Sequence, residues 1–366
     1  MTLKCQGCGA VIQTEDCNLP GYIRPDVLEK RGESFCCERC YNLLHYNRNL
    51  DVEINEEELF KKIKEISKED ALVVNIVDVF DLEGTFLDNL DELFPNNKKL
   101  IVANKFDLFL SSVKSEKVLA YFRKFLRNKN LDAAGTVVMS SFKRADIEKL
   151  LHEIFRLKGK RDVCFVGTTN VGKSSIINAV IKQLGLEAKP LTTSSAVSTT
   201  IGLIKIPLPD GSNLIDTPGI PNHKQATYYL AHNHQKLLLP RKYIRPRIYQ
   251  LQSGQTLFIG GFCRLDFVIG EDSSFVVNVP NAVVVHRTKL QSASDFYQFH
   301  KDDILKIPDE AERAKLGEFK EYQFHFDKEK REIAISGLGF ITLIGTGKVN
   351  FYCFEKINVS IREAIV

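Results

Sequence analysis

The segment GTTNVGKS at Gly167–Ser174 constrains the fold more than any other stretch of this 366-residue chain. A GxxxxGK[ST] loop holds phosphate only when a strand leads into it and a helix leaves it, because loop N–H groups and the helix N-terminus share the anion. Both flanks are present: residues 162–166 (DVCFV) form an apolar strand-length run, and helical spacing starts at Lys173. Such a unit implies a parallel sheet with helices on its faces. The surrounding sequence agrees, with strand-length runs at 71–78, 99–104, 136–140, 162–167, 201–208 and 213–216. Helical spacing falls between them at 85–93, 114–129, 144–157 and 173–184, and ahead of them at 56–69. In 114–129, Val118, Tyr121, Phe122 and Phe125 mark the inner face and the Lys/Arg residues the outer one.

Two further signatures give the loop its chemistry. DTPG at Asp216–Gly219 ends a strand, where Asp216 would hold Mg²⁺ and the Gly219 N–H would meet a γ-phosphate. NKFD at Asn104–Asp107 ends another, and the Asp107 carboxylate can accept from both N1–H and the exocyclic amine of guanine, which adenine does not offer. Asn104 would bridge to the phosphate loop and the Lys105 stem would cover the base. Ser140–Ser141, after the next strand, would close on the guanine O6 or cap the following helix. Within the loop, Gly167, Thr168, Thr169, Asn170, Val171, Gly172, Lys173, Ser174 and Ser175 are the candidate contacts to GTP. Lys173 would neutralise β/γ charge and the Ser174 hydroxyl would bind Mg²⁺. Switch I is expected at about 188–200, in the hydroxyl-rich run KPLTTSSAVSTTIG, with Thr200 preferred to Thr199 as its Mg²⁺ ligand because it abuts the strand.

The order of these signatures is unusual. A Ras-like chain runs phosphate loop, switch I, DxxG, then NKxD. Here NKFD comes first and the chain leaves the nucleotide domain just after DTPG.

Six of nine cysteines lie in the first 40 residues, four of them in the pairs Cys5/Cys8 and Cys37/Cys40. Two Cys-x-x-Cys knuckles complete a tetrahedral thiolate shell, so structural Zn²⁺ is expected rather than a redox dithiol or an iron–sulfur site. Cys164, Cys263 and Cys353 sit in apolar runs and are expected in the core. After about residue 225 the pattern changes to alternating runs such as 255–270, 274–288, 331–337 and 339–345, which indicate antiparallel β-structure. No apolar run reaches the ~18–20 residues of a membrane span, and the N-terminus has no signal-peptide or transit pattern. A cytoplasmic protein is expected. The net charge of +4 is too small to imply nucleic-acid binding by itself. Residues 236–249 (KLLLPRKYIRPRIY) hold five Lys/Arg, no acids, and Tyr243 and Tyr249, which suits either an RNA-phosphate surface or a solvated linker. His232 and His234 lack nearby thiolates or carboxylates in the sequence and do not read as a metal site.

NKxD, GxxNVGKS, a hydroxyl-rich switch and DTPG, in that order, resemble the circularly permuted GTPases. The N-terminal CxGCG…CxRC pattern resembles the YqeH group, which includes plastid and mitochondrial nitric-oxide-associated proteins. The resemblance covers roughly residues 1–225 well and the remainder loosely. It implies an α/β, circularly permuted P-loop GTPase domain (49–225) between a zinc module (1–48) and a β-rich C-terminal recognition domain (226–366). It further implies a slow switch-type GTPase in small-ribosomal-subunit assembly, using Mg²⁺ and contacting rRNA or ribosomal protein. Lys173, Thr200, Gly219 and Asn170 would be its catalytic residues, and Asn170 would either coordinate a K⁺ ion or cap its own loop. The contrasting reading is a zinc-containing RNA-binding scaffold with structural nucleotide. Two stretches depart from the family pattern: Val197-Ser198 replaces Pro-Gly, and SSFK at Ser140–Lys143 replaces Ser-Ala-Lys. Ile220 stands where Ras-like enzymes carry glutamine, a position that is hydrophobic in many relatives of the family.

Overall fold

A computed structural model describes residues 3, 5, 10–16, 21–28, 37, 38, 56–186, 204–240 and 242–365. The chain forms two compact units, neither continuous in sequence: Met1–Asp78 with Leu87–Lys105 and Phe122–Ile220, and Val79–Phe86 with Phe106–Tyr121 and Pro221–Val366.

The first unit is built on β1 (Ala71–Asp78), β2 (Lys99–Asn104), β3 (Gly135–Val138), β4 (Asp162–Gly167), β5 (Ile204–Pro207) and β6 (Asn213–Asp216), in the order β3-β2-β1-β4-β6-β5. Every neighbouring pair is parallel except β5–β6. Strand β1 is central and buried at every position, which is why its sequence is a continuous apolar run rather than an alternation. Leu72, Val74 and Ile76 join one cluster with Ile147, Leu150 and Ile154 of helix Arg144–Lys158 and with Ile176 and Val180 of helix Lys173–Gln183. Parallel pairing puts the C-terminal ends of β1, β2, β4 and β6 on one edge of the sheet, with Asp78 opposite Asn104 and Ile76 opposite Gly167. Open α/β sheets bind ligands at this edge.

Helix Ser115–Asn128 buries Val118, Phe122, Phe125 and Leu126, the inner face expected of it, although Tyr121 is only half-buried. Residues 85–93, expected as a helix, form instead two single turns, Leu82–Thr85 and Leu90–Leu93. The Asp81 carboxylate caps the first turn by accepting the Gly84 N–H at 3.1 Å, and Phe86 then runs extended. Phe86, Leu87, Leu90 and Leu93 are buried, so their spacing imitates a helical face without a continuous helix.

The second unit contains two five-stranded antiparallel sheets. One has the order β16-β13-β14-β10-β7, using β7 (Arg247–Leu251), β10 (Ser273–Asn278), β13 (Arg331–Ile335), β14 (Gly339–Ile344) and β16 (Val359–Glu363). The other has the order β11-β8-β9-β15-β12, using β8 (Gln255–Ile259), β9 (Cys263–Gly270), β11 (Val285–Lys289), β12 (Phe319–Phe326) and β15 (Gly347–Phe354). Inner residues of both sheets, Phe275, Ile333 and Ile341 with Leu265, Phe267 and Phe351, share one core. Cys263 and Cys353 are a register pair within it, free and buried with sulfurs 3.3 Å apart, and Cys164 lies in the core of β4.

Residues Val79–Phe86 enter this unit through Asp81, which is only 8% exposed. Its Oδ2 accepts from Gln225 Nε2 at 2.9 Å and from the Gly337 N–H at 2.7 Å. Close by, the Ala226 N–H donates to Ser336 O and the Asn358 N–H to Lys224 O, each at 2.9 Å. Arg362 completes the connection by donating to Glu332 and to Glu83. An unpaired buried donor costs roughly 1–3 kcal/mol. Asp81→Ala strands several and is expected to lower stability by about 2–4 kcal/mol, read as a fall in thermal midpoint; an unchanged midpoint would refute the role.

Candidate nucleotide site

The phosphate loop is shaped by backbone conformations that few residues adopt. Asn170 (φ 65°) and Gly172 (φ 87°) are both left-handed, and the helix starts at Lys173. At Gly172 a Cβ would stand 2.3 Å from Asn104 Nδ2, so the position requires glycine on two counts.

The three signatures meet through hydrogen bonds. Asn104 is fully buried; its Nδ2 donates to Val171 O at 3.0 Å and its Oδ1 accepts the Ser141 N–H at 3.1 Å. One amide therefore ties the phosphate loop to the 140–141 segment. On the other side, the Thr169 N–H donates to Ile220 O and the Ile220 N–H to Gly167 O, both at 3.0 Å. Gly219 packs against Thr169 so closely that a Cβ would meet its Cα at 3.2 Å. Lys173 is buried, and its ammonium donates to the Asp216 carboxylate and to Thr217 O. Thr168 Oγ1 is buried with no hydrogen-bond partner among the described residues, an orphan hydroxyl inside a loop of phosphate-binding form.

Ser174 and Ser175 are half-buried in the first helical turn. With the Asp216 carboxylate, the Ser174 hydroxyl offers the oxygen donors that Mg²⁺ prefers. Asp107 lies in the 3₁₀ turn Phe106–Leu108 and is half-buried. Ser140 does not cap the next helix. Its Oγ accepts the Phe142 N–H at 3.2 Å, its N–H donates to Asp146, and Lys143 occupies the N-cap. Switch I, including Thr199 and Thr200, lies outside the described residues.

In the N-terminal segment Cys5 and Cys37 are both buried, and the Cys37 N–H donates to Cys5 Sγ at 3.0 Å. One cysteine of each Cys-x-x-Cys pair thus reaches the same point; Cys8 and Cys40 lie outside the described residues. A thiolate stabilised by a backbone N–H suits Zn²⁺.

Two features escaped the sequence. Lys105 takes a left-handed conformation (φ 68°) and its Nζ donates to Asp78 Oδ2 at 2.7 Å. His234, in helix His232–Leu238, does meet carboxylates: Nδ1 is 2.9 Å from both Glu312 oxygens, and Asp309 is nearby. Those acids come from a helix start some 75 residues later, so no local spacing could announce them. Glu312 also accepts the Ala231 and Asp309 N–H groups in a capping box, which gives the cluster a structural purpose. Of the basic run, Tyr243 and Arg245 are exposed, whereas Arg247 turns inward to Val283 O at 2.6 Å and burial lowers its pKa. Among the described residues no helix is long and apolar enough to cross a membrane.

A family described as 50S ribosome-binding GTPase matches residues 162–244, and one described as YqeH-like, C-terminal matches residues 272–365. Residues 162–244 contain the phosphate loop and DTPG and mark a GTPase domain, which implies binding of GTP or GDP with Mg²⁺. The Bacillus subtilis (strain 168) protein YqeH is 36% identical over 363 residues, covering 99% of both chains. The Arabidopsis thaliana NO-associated protein 1, chloroplastic/mitochondrial, is 26% identical over 390 residues, covering 93% of this chain and 69% of its own. The Vibrio vulnificus small ribosomal subunit biogenesis GTPase RsgA 1 is 32% identical over 128 residues, about a third of each chain.

Proposed function

We propose that this chain, which belongs to the YqeH family, is a circularly permuted, slowly hydrolysing GTPase switch acting in small-ribosomal-subunit assembly. The observation that carries the nucleotide part is the Asn104 amide, which joins NKFD to the phosphate loop although the two lie 67 residues apart in the chain. Support for permutation comes from the order of strands and motifs: β2, with NKFD, precedes the GTPase-family match that starts at residue 162.

In this reading Asp107 reads the guanine edge and the loop N–H groups from Thr168 to Ser174 hold the phosphates. Lys173 exchanges its contacts with Asp216 and Thr217 for the β/γ-phosphates. Ser174, Asp216 and Thr200 would hold Mg²⁺, which supplies charge neutralisation on the β- and γ-oxygens. Gly219 offers its N–H to the γ-phosphate. Slow turnover is supported by Ile220: it is apolar and 5% exposed, so the residue after DTPG has no side chain to orient water. Asn170, left-handed within the loop, would hold a K⁺ that takes the part of an arginine finger, or would cap the loop's own backbone. Cys5, Cys8, Cys37 and Cys40 would form a structural zinc site. Exposed Lys236, Lys242 and Arg245, with the Arg245 guanidinium 5.7 Å over Tyr243, form the favoured rRNA-facing patch.

The small-subunit assignment draws on the name of the Vibrio vulnificus relative, while the matched GTPase family is named for the 50S particle. Co-sedimentation with separated 30S and 50S subunits, in GDP and in a non-hydrolysable GTP analogue, tests both parts. We expect 30S association at least about fivefold tighter with the analogue. Equal binding in both nucleotides would point to a zinc-containing RNA scaffold instead, and exclusive 50S binding would sink the small-subunit assignment.

A further inference from the structure

We infer that Asp78 is a positioning residue for guanine binding, acting through Lys105. This rests on the reading of NKFD as the base-recognition segment. Asp78 closes β1 and lies directly across from Asn104, which closes β2, so the parallel register itself brings its carboxylate beside NKFD. The Lys105 ammonium donates to Asp78 Oδ2 at 2.7 Å, and the side chains are only 19% and 11% exposed. A half-exposed surface pair of this kind would do little, but this one is mostly withdrawn from water.

The backbone at Lys105 strengthens the case. A left-handed φ of 68° is unfavourable for a residue with a Cβ and persists where the surroundings hold it. Lys105 is therefore constrained at both ends: the main chain by its left-handed conformation after the buried Asn104, the ammonium by Asp78. Lysine's four-carbon stem is otherwise free to sample many rotamers. With the ammonium anchored, the stem has one course, and an arriving purine meets a formed apolar surface instead of one that must be ordered on binding. Immobilising such a side chain costs roughly 0.5–1.5 kcal/mol, which corresponds to about two- to twelvefold in affinity. Base contacts are the same in GTP and GDP. The effect belongs to binding in both states and leaves the chemical step alone.

The test compares Asp78→Asn, Lys105→Met and the double variant, with Kd for GDP and GTP from displacement of a fluorescent guanine nucleotide and kcat at saturating GTP. Lys105→Met keeps the stem and removes the ammonium, so it reports on the anchor even where Asp78→Asn fails to fold. We expect each single variant to bind both nucleotides about tenfold more weakly, the double variant to lose no more than either, and kcat to stay within about twofold. Unchanged Kd in Lys105→Met, losses that multiply in the double variant, or a fall in kcat with Kd intact would each overturn the proposal. Wild-type protein binding ATP as tightly as GTP would instead refute the guanine reading on which it rests, so the two failures are distinguishable.

Discussion

Lys173→Ala should reduce GTP turnover by about 10²–10³-fold, the usual loss when one preorganised donor to developing charge is removed. The side chain is buried and its ammonium already bonds two oxygens, Asp216 and Thr217 O, beside the loop. Phosphate oxygens in that position would replace one set of charge-assisted hydrogen bonds with another. Alanine removes the cation and also leaves the Asp216 carboxylate buried without it, so the nucleotide-free variant should unfold at lower temperature. Single-turnover hydrolysis and nucleotide titration read the first effect, and calorimetry reads the second. A variant that keeps wild-type affinity and turnover would remove the phosphate-loop assignment altogether.

Asp107→Asn should move base preference from guanine toward xanthine nucleotides, with GTP affinity falling by about 10–10²-fold. Hydrogen bonds to a charged group contribute roughly 1.5–3 kcal/mol. Xanthine presents an oxygen where guanine has its exocyclic amine, and an asparagine amide can donate to it. Competition of GTP and XTP for the same fluorescent nucleotide measures the change. Unchanged guanine preference would refute the base-reading role of Asp107.

The strands, turns and helix that carry these two positions were legible from sequence because they are set locally. The buried strands β1, β2, β4 and β6 were legible for a related reason, since a strand covered on both faces reads as an unbroken apolar run. Other elements were not. Strand β12 carries a period-two run at Tyr322, Phe324 and Phe326, but the adjacent Lys320 and Glu321 break the alternation from Phe319 and leave too short a run to mark a strand. The apolar spacing in 85–93 was real but belonged to two turns set by Asp81. Asp78, Asp81 and Glu312 act on residues 27, 144 and 78 positions away, and no window along the chain contains both partners.

The composition of the second unit also limits how related chains can exchange parts. Its tail begins at Pro221, yet Asp81 and Glu83 come from the stretch Val79–Phe86. A tail grafted from a distant relative would arrive without the carboxylates that its Gly337 N–H, Gln225 amide and Arg362 guanidinium were matched to. The tail is therefore not a transferable cassette. Loss of Asp81 or Glu83 would leave those donors without their acceptors unless a replacement oxygen came with the change.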